Sequence, residues 1–101
     1  MIRLTAMFSL LASTAMAGEI WVTNEKDDTI SVISTKTLEV IKTYDTGERP
    51  RGILFNSDYS RVYICASDSN SVQVMDPNSG EILHELPSGD DPEQFVLHPD
   101  D

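Results

Sequence analysis

From Ile20 onward, short runs of β-branched and aromatic residues alternate with clusters of polar turn formers. Runs of this length and composition, bounded by Gly, Pro, Asn, Asp and Ser, are strand signals. They predict strands over Ile20–Thr23, Thr29–Ile33, Val40–Tyr44, Ile53–Phe55, Arg61–Ala66, Ser71–Met75 and Ile82–Leu86, with an eighth beginning at Phe95–Leu97. The turns carry Glu25 to Asp28, Gly47 with Pro50, Asn56 to Asp58, Asp68 to Asn70, Asp76 to Gly80, and Gly89 with Pro92. Gly and Asn supply positive φ, and Pro fixes φ at turn entry. No segment keeps the 3.6-residue apolar period of a helix.

The pattern repeats. Shifted by 42 residues, the chain matches itself without a gap: Val32 falls on Val74, Glu39 on Glu81, Gly47 on Gly89, Pro50 on Pro92 and Asp58 on Asp100. Residue classes agree more widely. Trp21-Val22 lies on Tyr63-Ile64, Val40-Ile41 on Ile82-Leu83, and Ile53-Leu54-Phe55 on Phe95-Val96-Leu97. A period of this size in an all-β chain marks the four-stranded blades of a β-propeller. The expected fold is therefore an all-β propeller fragment of about two four-stranded antiparallel blades.

The first 17 residues read differently. Met1-Ile2-Arg3 is a short positive segment, Leu4 to Ala12 is apolar apart from Thr5 and Ser9, and Ala15-Met16-Ala17 is a small-x-small site. This is the layout of a secretory signal peptide, cleaved between Ala17 and Gly18. The apolar run is too short to span a bilayer, and no second one follows. The expected division is a signal peptide over 1–17 and a partial propeller over 18–101, with an incomplete blade at about 18–47, a complete blade at about 50–89 and the start of another at 92–101.

Charge narrows the partners. The chain of 101 residues has a formal net charge of −10 at pH 7. Arg3 is the only charged residue of the leader, so removing the leader takes the charge to −11. Beyond Arg61 there are 9 acidic residues and no Lys or Arg. Such a chain repels nucleic acid and anionic lipid, and suits a cationic partner or a solvated role. The single cysteine, Cys65, permits no intrachain disulfide and no Cys-x-x-Cys site. No Gly-x-Ser-x-Gly elbow, phosphate loop or haem-attachment motif is present.

Trp21-Val22-Thr23-Asn24 resembles the Tyr-Val-Thr-Asn signature of one propeller repeat family, and the rest of that pattern follows in order: Thr29 to Ile33, Val40-Ile41, then Gly47-x-x-Pro50. The second copy keeps the spacing but carries Cys65-Ala66 where Thr-Asn is expected. Gly18 to Glu25, Arg49-Pro50-Arg51-Gly52, Cys65 to Asp68 and Asp91 to Phe95 are similar to one subgroup, the propeller proteins associated with pyrroloquinoline-quinone-dependent catabolism. Members resemble closed rings, usually of seven blades. In that scheme the strand after Gly-x-x-Pro is innermost, so the first blade lacks its inner strand, and in a whole ring that strand comes from the C-terminus. Two blades cannot close a ring, and open edges recruit strands. The expectations are a truncated product or one segment of a longer protein, with a small self-assembling propeller as the alternative. The isolated residues 18–101 are expected to be marginally folded or to assemble through strand edges.

The turns after the second and fourth strands of each blade should share one rim, which would carry Glu25, Asp27, Asp28, Glu48, Asp68, Asp90, Asp91 and Glu93 against Lys26, Arg49 and Arg51. This acidic rim can dock a cationic partner, or it can simply keep an exported protein soluble. Asp27-Asp28 and Asp68-Ser69-Asn70 lack the spacing of an EF-hand calcium loop, and turn hydrogen bonds that start the next strand are the plainer role. Arg49-Pro50-Arg51 can clamp a carboxylate or phosphate, but the other repeat reads Asp91-Pro92-Glu93. His84 is expected to be exposed, His98 to precede a turn, and Cys65 to be a small buried core residue. No catalytic, cofactor or metal site is expected. The resemblance implies a non-catalytic periplasmic accessory or scaffold for quinoprotein alcohol oxidation, its partner a periplasmic quinoprotein dehydrogenase or a basic c-type cytochrome. The competing reading is a fragment of a haem-binding, nitrite-reductase-like propeller or of a propeller lactonase.

Overall fold

The computed structural model describes residues 13–16 and 18–96. They form two four-stranded antiparallel sheets. The first contains β1 (Ser13–Met16), β2 (Glu19–Asn24), β3 (Thr29–Ser34) and β4 (Val40–Asp45) in that order. The second contains β5 (Pro50–Phe55), β6 (Val62–Ala66), β7 (Ser71–Met75) and β8 (Ile82–Pro87), again in chain order. This up-and-down order within each sheet, with β2–β4 recurring as β6–β8 at the 42-residue shift, is a pair of propeller blades.

Strand parity decides what is buried. In the first sheet Trp21 pairs with Val32, and Thr23 with Ile30, which in turn faces Tyr44. These residues share one face. In the second sheet Ile53–Ile64, Phe55–Val62 and Val62–Met75 pairs likewise share a face. The two faces meet in one core of Trp21, Ile30, Val32, Ile53, Phe55, Val62, Ile64 and Met75, with Tyr44 and Ile82 packed against it. Trp21 is 0% exposed. Its ring stands edge-on to Phe55 at 5.2 Å and tilted against Tyr44 at 5.6 Å. Tyr44 also reaches across the sheets, its hydroxyl lying 3.2 Å from the carbonyl of Pro77. A Cβ at Gly80 would overlap the Tyr44 ring, so this turn needs glycine for close approach as well as for its φ of +76°.

Two elements depart from the sequence reading. The inner position of the first sheet, expected to be vacant, is held by β1, which pairs antiparallel with β2 from Ser13↔Val22 to Met16↔Glu19. Gly18, just before β2, adopts φ +81°. The strand falls within the expected leader; Ala17, on one side of the expected cleavage point, lies outside the described residues. The second departure is at the other end. Phe95 and Val96 do not form a strand, because among the described residues no strand lies beside them to pair with. Leu97, His98 and Asp100 lie outside the described residues.

Candidate functional site

The segments that join the blades build the rim. Asp28 ends the β2–β3 turn in a left-handed conformation, φ 58°, and its repeat equivalent Asn70 does the same at φ 52°. Asn and Asp tolerate this region better than most residues. The sequence reading expected both side chains to make turn hydrogen bonds; among the described residues neither bonds within its own turn. Instead, each reaches 21 residues along the chain to the following junction. Arg49 N–H donates to Asp28 Oδ1 at 2.8 Å, and Asp91 N–H donates to Asn70 Oδ1 at 3.0 Å. Arg49 and Asp91 are themselves repeat equivalents with φ of 58° and 50°. The same cross-blade bond is thus built twice from different side chains.

The flanking glycines differ. Gly47 N–H donates to Oε1 of buried Gln73 at 2.7 Å, and a Cβ there would press on Ala66 and Gln73. Gly89 has nothing within 4 Å of a Cβ and adopts φ +84°. The expected equivalence of their turns fails because Gly47 is shaped by the sheet that follows it, and among the described residues no sheet follows Gly89.

Four of the eight predicted rim residues are engaged by internal contacts. Glu25 lies 3.4 Å from Arg49 Nε and 3.8 Å from Arg51 Nε. Asp68 lies 3.5 Å from Arg49 Nη1, and Glu93 lies 3.1 Å from Arg51 Nη2. Asp28 carries the backbone bond described above. Desolvation opposes it, but the Glu25 and Asp68 carboxylates hold the Arg49 guanidinium above its ordinary pKa. The two arginines, read from sequence as a possible clamp for an external carboxylate, clamp the chain's own. Lys26, Glu48, Arg49 and Asp68 line one open depression together with Glu25 and Asp28, about 400 Å³ in volume. Asp27, Glu48, Asp90 and Asp91 are exposed, and among the described residues none of the four forms an ion pair.

His84 and Cys65 fall where the sequence suggested. His84 is exposed on β8, opposite Val74. Cys65 is fully buried on β6, where burial pushes its thiol pKa up. Among the described residues, no group of three or more His, Cys, Asp or Glu side chains is placed to hold a metal ion, and no helix is long and apolar enough to cross a membrane. Sequence reasoning missed the Glu25–Arg49–Asp68 and Arg51–Glu93 contacts. The available signal was the charge inversion between Arg49-Pro50-Arg51 and Asp91-Pro92-Glu93 at equivalent positions.

Comparison with known proteins agrees with the blade geometry. No curated protein matches the sequence. Hydrazine synthase of Kuenenia stuttgartiensis contains a similar structure, with a TM-score of 0.83 over 95% of this chain and 28% of that one, at 20% identity. A functionally unknown protein from Desulfotomaculum acetoxidans is similar with a TM-score of 0.69 over 82% of this chain and 29% of that one, also at 20% identity. At this identity the likeness concerns the fold alone, and the chain spans under a third of either protein. The YNCE-like beta-propeller family matches residues 3–101. With its two four-stranded blades and repeated junction, the chain belongs to the YNCE-like beta-propeller family.

Proposed function

We propose that this chain is part of an exported, non-catalytic propeller that acts in the periplasm as a docking scaffold for a basic partner, accessory to quinoprotein alcohol oxidation. The observation that supports this reading is the division of the rim. Internal pairing satisfies both rim arginines, and leaves Asp27, Glu48, Asp90 and Asp91 facing solvent without a counter-charge among the described residues. A surface of one sign steers a partner of the other and raises its association rate. A basic c-type cytochrome fits such a surface, and the sequence resemblance supplies the link to quinoprotein oxidation.

The test is titration of the protein with a basic c-type cytochrome at low and at physiological ionic strength. Binding is expected at low salt and should weaken steeply as salt rises. The combined variant Asp27→Asn, Glu48→Gln, Asp90→Asn, Asp91→Asn should lose at least tenfold in affinity. Equal binding by this variant, or affinity insensitive to salt, would overturn the proposal.

A further inference from the structure

We propose that Arg49 masks the rim: its guanidinium holds Glu25 and Asp68 in the depression they line and yields them to a basic side chain of a docking partner, so that removing Arg49 strengthens docking. This rests on the docking reading above and names the residue that regulates it.

The guanidinium is not what builds the junction. The backbone N–H of Arg49 donates to Asp28 Oδ1 at 2.8 Å, and Asp91, its repeat equivalent, makes the same bond to Asn70 Oδ1 at 3.0 Å. Both positions are left-handed, with φ of 58° and 50°. Turn and bond thus form with an arginine or an aspartate at this place, which leaves the Arg49 side chain to another task. What it does is engage two carboxylates: Nε lies 3.4 Å from Glu25 and Nη1 lies 3.5 Å from Asp68. Arg51 stands in contrast. It lies 3.1 Å from Glu93, and its side chain is 19% exposed against 40% for Arg49.

Both Arg49 contacts are longer than the roughly 2.7–2.9 Å of a tight charge-assisted hydrogen bond. Ion pairs this open to water contribute little, so little opposes their exchange for another cation. They sit in an open depression of about 400 Å³ that Lys26, Asp28 and Glu48 also line. Glu48 forms no ion pair among the described residues, and offers an arriving cation its first foothold. Among the described residues Arg49 is the one cation paired with Asp68, whereas Glu25 also lies 3.8 Å from Arg51. An ammonium or guanidinium group that replaces Arg49 therefore gains Asp68 outright and displaces the arginine toward solvent. A weakly basic partner does not offset the two contacts that Arg49 gives up, so the mask sets a threshold of basicity for docking.

The experiment is a double-mutant cycle, read by titration with an oligolysine peptide and in parallel with a basic c-type cytochrome. Physiological ionic strength is used, where charges beyond about 8 Å are screened. Arg49→Asn places a residue that tolerates the left-handed turn and should raise affinity about fivefold. Lys26→Gln removes the same charge from the same depression, but Lys26 engages no carboxylate among the described residues, so the rise should be about twofold or less. Asp68→Asn should cost at least about threefold more affinity in the Arg49→Asn background than in the native chain. Arg49→Lys keeps the charge but lacks the fork that spans two carboxylates, and should give an intermediate rise. It carries the test if circular dichroism shows the Arg49→Asn chain to be unfolded. The proposal fails if Arg49→Asn and Lys26→Gln act equally, if Asp68→Asn costs the same in both backgrounds, or if Arg49→Lys binds no more tightly than the native chain. Coupling seen with the peptide but no binding of the cytochrome would uphold the mask and overturn the cytochrome as partner. Binding of neither probe to any variant would overturn both readings.

Discussion

Truncating Trp21 and Tyr63 separates two environments that the sequence makes look alike. The residues are repeat equivalents, each central on the second strand of its blade. Trp21 is enclosed between the sheets, with Phe55 at 5.2 Å and Tyr44 at 5.6 Å. Tyr63 lies on the face of the second sheet turned away from that core, half-buried, with Phe95 its one aromatic neighbour among the described residues, at 6.2 Å. A fully buried aromatic of this size removes about 150–250 Å² from water. At about 25 cal/mol per Å² that is roughly 4–6 kcal/mol, close to the ~3–5 kcal/mol observed for burying-to-alanine changes of Phe and Trp. Trp21→Ala is therefore expected to cost about 3–5 kcal/mol, and Tyr63→Ala about 1–2 kcal/mol because its side chain is partly exposed and lies outside the core between the sheets. For a domain this small the first corresponds to a fall in Tm of at least about 12 °C. The assay is thermal and urea unfolding followed by circular dichroism, since Trp21 is the only tryptophan and its fluorescence is lost in the variant. Equal losses at the two positions, or a larger loss at Tyr63, would show that the two sheets do not share the core described above.

Three further outcomes follow from single residues. Leu38, the equivalent of Gly80, adopts φ 62° with its side chain 44% exposed, so Leu38→Gly should relieve left-handed strain and raise stability by about 0.5–1 kcal/mol in urea unfolding. Cys65 is buried and its thiol pKa is raised by desolvation, so iodoacetamide at pH 8 should leave the folded chain unmodified and alkylate it fully in denaturant. The Asp58 carboxyl is held below its ordinary value by hydrogen bonds from the Ser60 hydroxyl and backbone N–H. Its small contribution should be complete above the unfolded pKa and lost as pH falls through the depressed folded value. Stability curves of wild type and Asp58→Asn should thus converge at acid pH and separate above it.

The blades were legible in the sequence because their information is local and repeated. Alternation over Thr29–Ile33 and Ser71–Met75 sets which side chains enter the core, and the turns between them carry residues suited to tight reversal. Boundaries moved little: the fifth strand begins at Pro50 rather than Ile53, with a register shift between those residues that lets proline enter the ladder at its first position. What was not legible depends on distant partners. The segment Ser-Thr-Ala-Met has no strong strand preference, and only the open edge of β2 selects it. Asp28 and Asn70 look like ordinary turn residues, yet their acceptors are used by backbone N–H groups 21 residues away. Of the eight carboxylates the sequence assigned to the rim, Glu25, Asp28, Glu48 and Asp68 line one depression, and the sequence could not show which of them the arginines would engage.

The two junctions also explain why the repeats diverge where they do. Trp21 and Ile30, which pack between the sheets, keep their class across the shift as Tyr63 and Val72. At Arg49, Pro50 and Arg51 the proline is kept and both charges invert to Asp91 and Glu93. Identical charges would place like beside like, since successive junctions run side by side along the rim. Inversion turns that repulsion into contact: Arg51 lies 3.1 Å from Glu93, while Arg49 and Arg51 share Glu25 from the preceding turn. Pairs with this much solvent access contribute roughly 0–1 kcal/mol each. Their larger effect is on register. The alignment that satisfies Arg51 also directs Glu93 O to Gly52 N–H, and in it the Phe95 ring stands 6.2 Å from that of Tyr63. The charges that set the repeats apart thus fix how one blade follows another.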